Sequence, residues 1–130
     1  FWTLITPEIW KVLHAVLHEA IGRAIAAFPE DAKVLVIGSG GLSHQLEGER
    51  AGFINKEFDL KFMDSMVNDP TWATQFSDVD LVEQTGNEGV ELLNWLVARG
   101  TVPGAVKVVH SNFHIPISNT AAATMLFEPV

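Results

Sequence analysis

His44 closes a glycine turn, Gly38-Ser39-Gly40-Gly41-Leu42-Ser43-His44, that follows four apolar residues, Val34-Leu35-Val36-Ile37. Such a run reads as a buried strand of a largely parallel sheet, and sheets of that kind carry their working residues just past the strand's carboxyl end. A histidine delivered there is placed to exchange a proton near neutral pH; the other reading is a structural histidine bonding the loop backbone. Four further histidines form two pairs. His14 and His18 lie one helical turn apart, a spacing that permits shared metal ligation, but they lack the intervening glutamate of a zinc-protease helix and read as polar flank residues. His110 and His114 end an extended segment on which this spacing points both to one face, either near a site or as hydrogen-bonded scaffolding. Glu88 and Glu91 open a helix, where a carboxylate gains from the helix dipole. Glu91 also has apolar neighbours in Gly89-Val90-Glu91-Leu92-Leu93, and a carboxylate so placed is either costly or employed. With histidines nearby it would complete a two-histidine, one-carboxylate iron site with positions open for substrate and oxygen.

The glycine turn has a competing reading as a phosphate cradle. Gly38-Ser39-Gly40-Gly41 has neither the lysine of a P-loop nor the spacing of a dinucleotide turn, so a phosphate- or nucleotide-binding α/β module is kept as an alternative only.

The elements that must hold these residues follow from periodicity. Thr6 and Pro7 can start a helix in which Ile9, Val12, Leu13, Val16, Leu17, Ala20, Ile21, Ala24 and Ile25 recur at helical spacing, ending near Phe28-Pro29. A strand follows over 33–37, then a long glycine-bearing loop to about Gly52. A second helix from Asn55 to Val67 buries Phe58, Phe62 and Met66, with a turn at Asn68-Asp69-Pro70. One or two short helices are predicted over 71–83. A further helix through Trp95 stops at Gly100, which suits a left-handed terminating position. Ala105-Val106-Lys107-Val108-Val109 reads as a second strand. The order gives an α/β fold, a mixed or mostly parallel sheet flanked by helices.

The 130 residues fit one domain, and 48% apolar content with four Trp and eight Phe supplies a core. Sixteen acidic residues against eight basic ones give a net charge of −8, which disfavours nucleic acid and anionic membranes as partners. No cysteine is present, so a disulfide framework, a thiolate metal site and a cysteine nucleophile are excluded, and a cytoplasmic location is compatible. No apolar run approaches the ~18 residues of a membrane span, and no basic-then-apolar signal opens the chain. The ends, Phe1-Trp2-Thr3 and Phe127-Glu128-Pro129-Val130, read as cut from a longer polypeptide.

Taken together, Gly38 to Leu46, Gly48-Glu49-Arg50-Ala51-Gly52-Phe53-Ile54-Asn55-Lys56-Glu57-Phe58-Asp59, Gly89-Val90-Glu91 and Pro116-Ile117-Ser118-Asn119-Thr120-Ala121-Ala122 resemble the class III extradiol dioxygenases. The resemblance is to the catalytic β chains of the protocatechuate 4,5-dioxygenase and gallate dioxygenase type, and it runs from about Ala20 to the end. It implies an oxidoreductase of aromatic catabolism in which non-haem Fe(II), held by two histidines and a glutamate, is chelated by a catechol-type diol and incorporates both atoms of O2. It places His44 on the family's acid/base histidine, Glu91 on the iron-ligating glutamate, and Ser118 and Asn119 near the ring substituent, as candidates to bind its carboxylate. The chemistry of the side chains agrees: imidazole exchanges protons near neutrality and a carboxylate is a hard ligand for Fe(II). In that family both iron-binding histidines come from an upstream segment, and His14 and His18 do not match it. The chain is therefore expected to be the carboxy-terminal part of a catalytic domain, inactive alone. Expected partners are a small aromatic acid, O2, further copies of the chain and a small helical α subunit or fused α domain. The alternative on the same scaffold is a non-catalytic aromatic-acid-binding or regulatory paralogue.

Overall fold

The computed structural model describes residues 7–130, with side chains from residue 16 onward. The expected Thr6 cap and the side chain of His14 lie outside the described residues. Among the described residues four helices, α1 (Pro7–Ala26), α2 (Lys56–Asn68), α3 (Asp78–Thr85) and α4 (Leu93–Gly100), are followed by two strands, β1 (Val106–His114) and β2 (Ala122–Pro129). Short 3-10 turns at Trp72–Gln75 and Gly89–Leu92 lead into α3 and α4.

The core forms around α2. Asn55 caps it by accepting the Phe58 N–H, which satisfies one of the donors a helix start leaves free. Phe58, Phe62 and Met66 then bury on one face, as their spacing predicts, with Met63 beside them. Leu42, Leu81, Leu92 and Leu96 complete the cluster, and Phe58, Trp72 and Phe76 pack ring against ring with centroids 5.0–5.6 Å apart. Ser77 and Asp80 form a reciprocal capping box at the start of α3.

The sheet differs from expectation. It is mixed α/β only in the broad sense: among the described residues it has two strands, β1 and β2, and they are antiparallel. On β2, Ala123, Met125 and Phe127 turn toward the core while Thr124, Leu126 and Glu128 face out, and Lys107 pairs with Glu128 at 2.9 Å. The parallel sheet is not seen, and Val34–Ile37 is not a strand. It runs as irregular chain with Leu35 71% and Ile37 75% exposed. No described strand lies beside it, and strand preference in Val and Ile expresses packing against a neighbour, so without a ladder partner the run stays unpaired.

Further expectations are corrected. Gly100 is not left-handed; it is the last residue of α4, and it is glycine because a Cβ there would run into the His18 ring on α1. His18 is accordingly buried against α4 instead of flanking a wet face, whereas Val16 and Leu17, expected in the core, are exposed. A Cβ on Gly22 would lie 2.7 Å from the Thr101 carbonyl oxygen, so α1 meets the end of α4 through two glycines.

Candidate active site

The glycine turn is threaded between three elements by its own backbone. Leu42 N–H donates to the Ala121 carbonyl at 2.9 Å and Ala121 N–H to the Ser43 carbonyl at 3.1 Å; His44 N–H donates to the Thr85 carbonyl at 2.7 Å. His44 forms a bridge with Thr120, and the Gly52 N–H closes the loop on the Gln45 carbonyl at 2.8 Å. Gly86, with φ of 85°, lets the chain after α3 pass against the His44 carbonyl, where a Cβ would collide.

His44 is 5% exposed. Its Nδ1 lies 2.8 Å from the Leu42 carbonyl oxygen. A carbonyl only accepts, so Nδ1 carries the proton and the neutral ring keeps Nε2 as its acceptor. Gly41 gives the ring its space, since a Cβ on Gly41 would stand 2.8 Å from the ring's Cε1.

Glu91 reaches the same turn from the 3-10 segment before α4. Its Oε2 accepts the Gly41 N–H at 2.8 Å, and a Cβ on Gly40 would sit 2.6 Å from its carbonyl oxygen. Trp95 Nε1 and Asn94 Nδ2 donate to the carbonyls of Gly40 and Ser39, both at 2.9 Å. Glu91 is exposed, not held among apolar groups as its neighbours in sequence imply; what orients it is the Gly41 amide. That bond also answers the phosphate reading, because it places a carboxylate, which repels an anion, on the turn's own N–H.

Asn119 stands in the left-handed region with φ of 59°, ending a turn in which its N–H donates to the Pro116 carbonyl, and its side chain lies 3.5 Å from where a Gly52 Cβ would be. Ser118 beside it is exposed. His44 and Glu91 thus meet at Gly40 and Gly41 with Thr120 against the turn, while the Asn119 side chain lies beside Gly52. His110 and His114 lie exposed on β1. Among the described residues no three His, Cys, Asp or Glu side chains are grouped to hold a metal ion.

Asp59 is a member of this region that the sequence reading did not single out. It is 1% exposed on α2 and accepts the Ser43 N–H at 2.9 Å and the Ser43 hydroxyl at 2.6 Å. Burial raises its pKa, while the two Ser43 bonds and, when it is protonated, His44 pull it back. The signal was present in the sequence: Asp59 sits on the same helical face as Phe62 and Met66, where an acid needs partners.

Residues 10–126 match the family described as the catalytic LigB subunit of aromatic ring-opening dioxygenase. The chain belongs to that family, whose members are oxidoreductases. A curated relative, gallate dioxygenase from Pseudomonas putida, is 43% identical over 112 residues, covering 86% of this chain and 33% of its own length. The chain therefore spans about a third of that relative. Among the described residues no helix is long and apolar enough to cross a membrane.

Proposed function

We propose that the whole protein is an Fe(II)-dependent extradiol dioxygenase that opens the ring of a gallate- or protocatechuate-like aromatic acid. The observation that carries the reading is the convergence of His44 and Glu91 on one glycine turn in a chain of this family. The likeness to a relative named gallate dioxygenase supports the substrate class.

In this reading Glu91 is the carboxylate ligand, oriented by the Gly41 amide, and two histidine ligands come from a part of the protein that these residues do not cover. Bound Fe(II) supplies the centre at which the diol and dioxygen meet. His44 takes a proton at Nε2 from a ring hydroxyl of the bound substrate and returns it later in the cycle; its Nδ1–H stays on the Leu42 carbonyl throughout, so the ring does not turn as its charge changes. Ser118 and Asn119 supply a hydroxyl and an amide to the substrate's carboxylate. Further copies of the chain, or a small helical α subunit or fused domain, are the partners of the whole protein, in the cytoplasm.

Incubating the iron-loaded whole protein with gallate and with protocatechuate under 18O2 tests this. Both label atoms are expected in a ring-opened product of at least one acid; consumption of neither acid would contradict the reading.

A further inference from the structure

One peptide group separates a buried carboxylate from the ring of His44. The N–H of the Leu42–Ser43 peptide donates to Asp59 Oδ1 at 2.9 Å, and its C=O accepts from His44 Nδ1 at 2.8 Å. The second carboxylate oxygen of Asp59 accepts the Ser43 hydroxyl at 2.6 Å. That hydroxyl in turn accepts the Asn55 N–H at 2.7 Å, so its one proton is committed to Asp59. Both oxygens of Asp59 therefore act as acceptors, the arrangement of an ionised carboxylate, with the donors supplied by the residue next to His44.

Hydrogen bonds in series polarise one another, most strongly where water is excluded. A negative charge drawing on the N–H of a peptide increases the electron density on its carbonyl oxygen, which makes that oxygen a better acceptor for Nδ1–H. Ser43, His44 and Asp59 are all buried, so the series is shielded from solvent.

We propose that Asp59 is a positioning residue for His44, acting through the Leu42–Ser43 peptide to hold the imidazole in the tautomer protonated at Nδ1, with Nε2 left to exchange the proton. The catalytic consequence rests on the acid/base reading of His44 given above; the relay itself does not.

The test is 15N NMR of the histidine-labelled whole protein, purified without added iron, compared with Asp59→Asn and Ser43→Ala. In the wild type, Nδ1 of His44 resonates as the protonated nitrogen and Nε2 as the bare one. Asp59→Asn, nearly the same shape without the charge, moves both toward the averaged values of mixed tautomers. Ser43→Ala, which keeps the peptide N–H and the carboxylate, leaves them in place. A wild-type ring protonated at Nε2, or a folded Asp59→Asn protein with wild-type ring shifts, overturns the proposal. If Asp59→Asn fails to fold, the Ser43 amide proton of the wild type decides: a strong downfield shift supports the relay, and a shift in the ordinary amide range overturns it. In the iron-loaded protein, Asp59→Asn lowers kcat by about tenfold with KM little changed, a part of the roughly 10²–10⁴-fold that a general acid/base supplies. That loss is absent in a His44→Gln background. A shifted tautomer with unchanged kcat upholds the relay and counts against the acid/base role instead.

Discussion

Glu91 Oε2 accepts the N–H of Gly41 at 2.8 Å across fifty residues of chain. The candidate ligand and the turn that carries His44 are therefore one mechanical unit, joined at the Gly41 amide. Gly40 makes the contact close enough, because any side chain there would meet the backbone of Glu91.

That unit separates two roles for Glu91. Glu91→Gln keeps an oxygen for the Gly41 amide but loses the anion, so the turn should persist while iron affinity of the whole protein falls roughly 100-fold or more. Metal analysis after gel filtration, alongside thermal unfolding, checks this; wild-type iron content in the variant would refute the ligand role.

Gly41→Ala should act on the ring and not on the fold. The added methyl would press on His44 Cε1 at 2.8 Å and on the Thr120 methyl at 3.2 Å, both side-chain atoms, so the imidazole is expected to rotate away from the Leu42 carbonyl. Turnover should drop by at least about tenfold while iron content is retained, as a misplacement of about 1 Å commonly causes.

Asp59 gives the stability curve a defined pH dependence. Its folded-state pKa lies above the ordinary value of 3.8, chiefly through burial. From 3.8 up to that raised value the native state holds more protons than the unfolded one, so this group's contribution falls as pH rises through the window and is flat above it. Unfolding free energies of wild type minus Asp59→Asn, measured by denaturant at steps from acid to neutral pH, should become less favourable to the wild type with rising pH; the opposite slope would contradict the assignment.

Arg99 carries the largest single stability prediction. Buried at the end of α4, it donates to the carbonyls of Met66 at 2.7 Å, Val102 at 2.7 Å and Gly104 at 2.9 Å, tying the end of α2 to the entry of β1. Arg99→Met fills the same space but leaves those carbonyls without their donor, at a cost of about 2–4 kcal/mol. Chemical denaturation measures it, and a change below about 0.5 kcal/mol would show that water replaces the guanidinium.

Helix α2 was legible because Phe58, Phe62 and Met66 repeat on one face and Asn55 is a strong cap; its start and its buried side follow from local rules alone. Strand β2 was not read, although Ala123, Met125 and Phe127 alternate with outward residues, because the preceding alanines carry little strand preference. Val34–Ile37 went the other way: its residue types are those of a strand, but a strand is a relation between two segments and no described neighbour completes it. Around the site, the placement of His44 after a glycine turn was visible in the sequence, as was that of Glu91 at a helical start. The tie between them was not, since nothing local predicts that a carboxylate fifty residues away takes the Gly41 amide. Asp59 was signalled locally by its place on the buried face of α2; what was not local is its partner, Ser43, 16 residues away.

Oxygen uptake with gallate by the whole protein and its His44→Gln variant at matched iron content decides whether His44 exchanges protons in ring opening. Turnover in the variant is expected to fall by roughly 10²–10⁴-fold with bound iron unchanged. Turnover at the wild-type rate would contradict it.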